Sequence, residues 1–285
     1  METSSLAQRL STRFVAGSTL DDALAVGRRL NAEGITVTLD HLGESVTSLE
    51  EAAAARDVYL RVLPAIRDAG IQGNVSLKLT QFGLDFSYDE CKANVERLVN
   101  CAAQMKTFVR VDMESSEYTD RTLDLVHDLH ARYGSVGVVI QAYLRRSRHD
   151  VERLCREGIR VRLCKGAYLE PHTVAFAHKK DVDRSYVELM KLLMDKGEYP
   201  AIATHDEQVI AETKAYAAER KIARDAFEFQ MLYGIRRDLQ RQLVAEGYRL
   251  RLYVPFGNAW YPYYMRRLAE RPANVLFILR NLFRQ

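Results

Sequence analysis

The stretch VGVVIQAYLRRSRHDVERLCREGIRVRLCKGA, residues 136–167, decides the architecture. A β-rich apolar run at Val136–Tyr143 gives way to RRSRHDVER at 145–153, a charged segment that reads as the start of a helix carrying its own acids. Gly158 then stops the helical pattern just before a second β-rich run at Arg160–Ala167. Strand, helix, glycine stop and strand make one repeat of a parallel α/β sheet.

The same alternation extends on both sides. Runs at Gly34–Leu42, Asn74–Thr80 and Phe108–Glu114 precede it, and runs at Pro200–His205, Phe227–Leu232 and Arg249–Gly257 follow. Amphipathic helical stretches lie between, for example at 88–105 and 119–133, and Gly70, Gly134, Gly197 and Gly247 close helical patterns as Gly158 does. Eight strands, each followed by a helix, predict an α/β fold, a (βα)8 TIM-type barrel. No linker or composition break divides the chain, so residues 1–285 are expected to form one domain. Residues 1–33 read as an N-terminal helical portion, and 34–285 as the barrel with a last helix over its mouth. A doubly wound open sheet competes, but neither GxGxxG nor GxxxxGK[ST] occurs.

Composition narrows the function. With 47% hydrophobic and 28% charged residues the chain can bury a large core. A net charge of +3, from 41 basic and 38 acidic side chains, sets up no field that demands nucleic acid. No apolar run reaches the roughly 18 residues of a membrane span, and Arg9 and Arg13 interrupt any signal peptide. A cytoplasmic location is expected. Cys91, Cys101, Cys155 and Cys164 show no CxxC spacing and read as reduced packing residues. His127 and His130 share a helix without a third ligand, so no metal is expected.

In such a barrel, chemistry collects at the carboxyl ends of the strands. Those ends supply Asp40, Glu44, Lys78, Asp112, Glu114, Gln141, Tyr143, Arg162, Lys165, Tyr168, Thr204, His205, Asp206, Gln230 and Tyr253. For any one of them a paired, purely structural charge is as good an account as a functional one; for the whole set, function is favoured. After the last strand, Pro262 suits the first turn of a helix that carries Tyr263, Arg266, Arg267 and Glu270. The adjacent arginines form a fork suited to a carboxylate or phosphate, against the alternative of a solvated face.

The blocks VSLKLTQFG, FVRVDMESSEYTD, VIQAYLRRS, RVRLCKGAY, ATHD, FEFQMLYG and YVPFG…YYMRRLAERPAN, taken in order, resemble the proline dehydrogenases, closest to the monofunctional bacterial enzymes. The resemblance runs from about residue 34 to the C-terminus. It implies a distorted (βα)8 barrel that binds FAD and oxidises L-proline to Δ1-pyrroline-5-carboxylate, passing electrons to a membrane quinone. It gives Asp112 and Arg162 catalytic positions, with Asp112 orienting its neighbours rather than acting as base. It places Lys78, Arg266 and Arg267 on the proline carboxylate, and Tyr168, Leu232, Tyr253 and Tyr263 around the proline ring. Met113, Gln141, Lys165, Gly166, Ala167, Thr204 and His205 match flavin contacts, and Glu44 matches an acid that pairs with Arg266 as a gate. Hydride would pass from proline C5 to flavin N5 as the amine loses its proton.

The resemblance also implies peripheral contact with the inner face of the cell membrane. No aldehyde dehydrogenase segment follows before Gln285, so a separate pyrroline-5-carboxylate dehydrogenase is expected to take the product, and no DNA-binding segment supports a nucleic-acid partner. Leu169 stands where larger fused members have Trp. Two other functions remain: a Schiff-base aldolase using Lys78 or Lys165, and a barrel that binds a ligand without turning it over.

Overall fold

The computed structural model describes residues 13–43 and 45–259. The first described helix, α1 (Leu20–Ala32), begins at a capping box in which Thr19 and Asp22 satisfy each other's backbone amides. The barrel follows: β1 (Thr36–His41), α2 (Leu49–Asp68), β2 (Gly73–Leu77), α3 (Tyr88–Gln104), β3 (Val109–Val111), α4 (Thr119–Tyr133), β4 (Val136–Gln141) and α5 (Ser147–Arg156). It continues with β5 (Arg160–Cys164), α6 (Lys179–Lys196), β6 (Ala201–Ala203), α7 (Glu207–Glu219), β7 (Glu228–Leu232), α8 (Arg237–Ala245) and β8 (Arg249–Phe256). Among the described residues the eight strands close in sequence order into a parallel barrel. Closure is made by β1 against β8, with Thr36 opposite Arg251 and His41 opposite Phe256.

Of the five helix-closing glycines, Gly70, Gly134, Gly158 and Gly247 adopt φ between 64° and 81°, the left-handed region that ends helices. Gly197 differs: its φ is −83° and α6 simply runs out into extended chain. The expected helix at 145–153 begins two residues later than its basic run, and its arginines pair with their own acids, Arg146 with Asp150 and Arg153 with Glu157. The four cysteines are free thiols. No helix among the described residues is long and apolar enough to cross a membrane.

What positions the site is how the strand side chains divide between two faces. Outward residues such as Val37, Leu39, Val75, Leu77, Val109, Val111, Phe229 and Met231 are buried under the helices. The alternate residues point into the barrel and are largely polar: Thr38, Asp40, Asn74, Ser76, Arg110, Arg162, Glu228 and Gln230 are all buried. Barrels usually fill this space with branched apolar side chains. Here it is filled by hydrogen-bonded polar groups, which a closed interior tolerates only when they satisfy one another.

The lower layer of this filling was not evident from the strand ends alone. Arg251 Nε donates to Glu228 Oε1 at 2.8 Å, and its Nη1 donates to Val37 O and Asn74 Oδ1. Arg110, 1% exposed, donates to the carbonyls of Val138 and Arg160 and stacks on Phe108.

Candidate active site

Several expected strands run past their paired ends, and the difference builds the mouth. Lys78 lies just after β2, where the chain turns into a 3-10 helix at Leu79–Phe82. Asp112, Met113 and Glu114 follow the short β3, with the Asp112 amide still bonded to Leu77 O. Freed from strand pairing, these side chains meet above the polar layer.

Asp112 is the hub. Its Oδ1 accepts from Arg162 Nη1 at 2.8 Å and from Ser76 Oγ at 2.5 Å. Its Oδ2 accepts from Tyr253 Oη at 2.8 Å and lies 3.6 Å from Lys78 Nζ. Burial alone would push this carboxyl up, but Arg162 and Lys78 outweigh it and hold Asp112 below the usual carboxylate range. Lys78 also stands 4.0 Å from Asp40 Oδ2. Burial works against its charge, yet Asp40, Asp112 and Glu114 keep its ammonium protonated more firmly than usual.

Asp40 goes the other way. Fully enclosed at the end of β1, its carboxyl is raised by burial beyond what Lys78 returns. Tyr59 Oη donates to Asp40 Oδ1 and to Ser76 O, tying α2 into the interior.

Arg162 is held on two sides and open on a third. Nε donates to Gln230 Oε1 at 2.6 Å, Nη1 donates to Asp112, and the guanidinium lies 5.2 Å from the Tyr253 ring. Nη2 is buried with no protein acceptor among the described residues.

The other expected residues line the same rim. Met113 is buried, and Gln141 Nε2 donates to Glu114 O at 2.9 Å. Thr204 is buried, its hydroxyl accepting from the Asp206 amide, and His205 Nε2 accepts from Leu232 N at 3.0 Å. Lys165 Nζ donates to Asp183 and Asp206 at 2.5 and 2.9 Å. These bonds outweigh burial and hold the amine protonated. Gly166 adopts φ +119°, and a Cβ there would lie 2.2 Å from the Tyr143 ring.

Ala167 is exposed and Tyr168 half-buried, the latter near enough to act electrostatically on Lys78. Leu169 is fully exposed. Glu44, Tyr263, Arg266 and Arg267 lie outside the described residues.

Sequence reasoning did not foresee the roles of Ser76, Tyr59, Glu228 and Glu170, the last of which accepts the Ser116 amide and hydroxyl from the loop after β3. His127 pairs with Glu157 and His130 with Val136 O, which accounts for both helix histidines.

A closed parallel (βα)8 barrel with an anchored Lys–Asp–Arg–Tyr cluster at its carboxyl mouth defines a barrel enzyme with its polar site at that mouth. The proline dehydrogenase family model matches residues 23–280, and the chain belongs to that family, whose members are oxidoreductases of proline catabolism. It is 41% identical over 270 residues to proline dehydrogenase 2 of Bacillus subtilis, covering 95% of this chain and 89% of that one. It is 40% identical over 280 residues to proline dehydrogenase of Deinococcus radiodurans, covering 96% and 90%. Its fold is similar to crystalline proline utilization A from Bdellovibrio bacteriovorus, inactivated by N-propargylglycine, with a TM-score of 0.86 and 28% identity. That match covers 92% of this chain and 32% of the longer one.

Proposed function

We propose that this chain oxidises L-proline to Δ1-pyrroline-5-carboxylate with FAD as bound cofactor and delivers the electrons to a membrane quinone. The carrying observation is Arg162: a buried cation anchored by Gln230 and Asp112, with Nη2 unpaired among the described residues. Such a donor fits the electron-rich edge of a flavin, and it lies on the same rim as the expected flavin contacts Met113, Gln141, Lys165, Gly166, Ala167, Thr204 and His205. When bound, FAD supplies the two-electron acceptor that no amino-acid side chain provides.

The protein's own groups do the rest. Lys78, joined by Arg266 and Arg267, fixes the substrate carboxylate, and Tyr168, Leu232, Tyr253 and Tyr263 exclude water from the ring. Asp112 holds Lys78, Tyr253 and Arg162 in mutual register. Both its oxygens are engaged and its carboxyl is held low, so it orients rather than abstracts a proton. The substrate amine therefore gives its proton to solvent before oxidation. Glu44 closes on Arg266 over the bound substrate, and a separate dehydrogenase consumes the product.

The aldolase alternative loses its footing here. A Schiff-base lysine must be neutral to attack, and both Lys78 and Lys165 are held protonated by two or more carboxylates.

The test is an anaerobic absorption spectrum of the purified protein before and after L-proline. A flavin band that bleaches supports cofactor, substrate and reaction together. A flavin that stays oxidised overturns proline as substrate, and a colourless protein that FAD does not reconstitute overturns the cofactor.

A further inference from the structure

We propose that Gln230, with its amide orientation dictated by Glu228, is a positioning residue that aims the Arg162 guanidinium; this rests on the flavin-dependent reading above. Both residues lie on β7, two positions apart, so both side chains enter the barrel interior, where they are 5% and 2% exposed. Gln230 Oε1 accepts from Arg162 Nε at 2.6 Å, and Gln230 Nε2 donates to Glu228 Oε1 at 2.6 Å.

A side-chain amide can be turned either way, but its neighbours here permit one way only. A guanidinium only donates and an ionised carboxylate only accepts. Glu228 is that carboxylate: burial pushes it up, but Arg251 outweighs burial and holds it below the ordinary value. The ion pair at the barrel floor therefore turns the Gln230 oxygen upward, and that oxygen fixes Nε. Asp112 fixes Nη1. With two nitrogens anchored, the guanidinium plane is set, and Nη2 is presented in one direction. Without Gln230, the plane can swing about the Asp112 contact.

The effect should fall on the chemical step, because the Lys78 end of the site does not touch Gln230. Gln230→Leu is expected to lower kcat about 10- to 100-fold, the scale of a misplaced group of order 1 Å. KM for proline should stay within about threefold. The visible absorption band of bound flavin should shift in the same variant, since a fixed cation beside the ring tunes its electronics.

In an Arg162→Lys background, Gln230→Leu should add no further loss, because the two act as one unit. The exchanged pair, Gln230→Glu with Glu228→Gln, keeps an acceptor for Arg162 Nε and a donor between the two β7 side chains, and should recover most of the turnover. Glu228→Gln leaves the amide free to turn and should show a smaller loss of the same kind.

Unchanged kcat and flavin band in Gln230→Leu overturn the proposal, as does a loss confined to KM. Multiplicative losses in the double variant also overturn it. Should Gln230→Leu fail to fold, Glu228→Gln and the exchanged pair decide by the same two readouts. A wild-type flavoprotein inert to proline defeats the substrate reading instead, while the band shift still tests Gln230.

Discussion

Tyr253, on the last strand, donates its hydroxyl hydrogen to Asp112 Oδ2 at 2.8 Å, across the barrel interior and 141 residues away in sequence. The bond ties the segment after β3 to β8 through the site. Asp112 has its carboxyl lowered, so its contribution to stability is present above its unfolded value of 3.8 and is lost as pH falls through the lower folded value. Tyr253→Phe removes one of the bonds that lower it. We expect a loss of about 1.5–3 kcal/mol, the range for a hydrogen bond to a charged group. Acid unfolding should also begin at a higher pH. Urea melts across the acid range check both, and an acid limb identical to wild type would show that Arg162 and Lys78 suffice.

Asp40 gives the opposite sign. Burial raises its carboxyl, so the unfolded chain ionises first as pH rises above 3.8 and stability falls until the raised folded value is passed. Above that value the penalty is complete. Asp40→Asn removes it while keeping an oxygen for Tyr59. The variant should therefore melt higher than wild type near neutral pH, and the gap should close near pH 4. A lower melting temperature at neutral pH would mean that the Lys78 attraction outweighs burial after all.

Much of this was legible in the sequence, for a definite reason. Helices read from periodicity at 88–105 and 119–133 are found at Tyr88–Gln104 and Thr119–Tyr133, because their apolar faces, caps and stops agree. Lys78, Asp112, Arg162 and Tyr253 were readable as strand-end residues, and they meet. Less legible was the pairing. Gln230 was visible at a strand end, but its partner Arg162 lies 68 residues away, and only barrel closure brings them together. Glu228 opens its strand, Arg251 lies in the first half of β8 and Arg110 is the middle residue of β3, where a search of carboxyl ends does not look. The signal that finds them is a period of two. Polar residues at 74 and 76, 110 and 112, and 228 and 230 alternate with apolar ones in strands covered on the outside by helices, so the polar set must face inward.

Gly166→Ala tests the loop after β5. The residue adopts φ +119°, where a side chain is strained, and the added methyl carbon would stand 2.2 Å from the Tyr143 ring. Strain of this kind costs about 1–3 kcal/mol, unless the loop moves to relieve it. Either response displaces a segment expected to contact the flavin, so the variant should purify with less bound FAD than wild type. Flavin absorbance per protein absorbance measures it, and full occupancy with an unchanged melting temperature would remove Gly166 from the cofactor set.

The pH dependence of turnover separates the substrate's proton from the enzyme's. Lys78 is held protonated beyond its ordinary 10.5 and Asp112 is held ionised below its ordinary 3.8, so neither group titrates between those values. The amine of proline does change state, and only its neutral form has the lone pair that drives hydride out of the adjacent carbon. Log kcat/KM should therefore climb by about one per pH unit on the acid side of the substrate amine, with no inflection contributed by Lys78 or Asp112. Stopped-flow reduction of the flavin from roughly pH 6 to 9 reads this directly. A flat profile would mean that hydride transfer from the neutral amine does not limit the rate. A bell would mean that a group of the protein titrates in this range, with the raised Asp40 carboxyl beside Lys78 the first to replace by Asn.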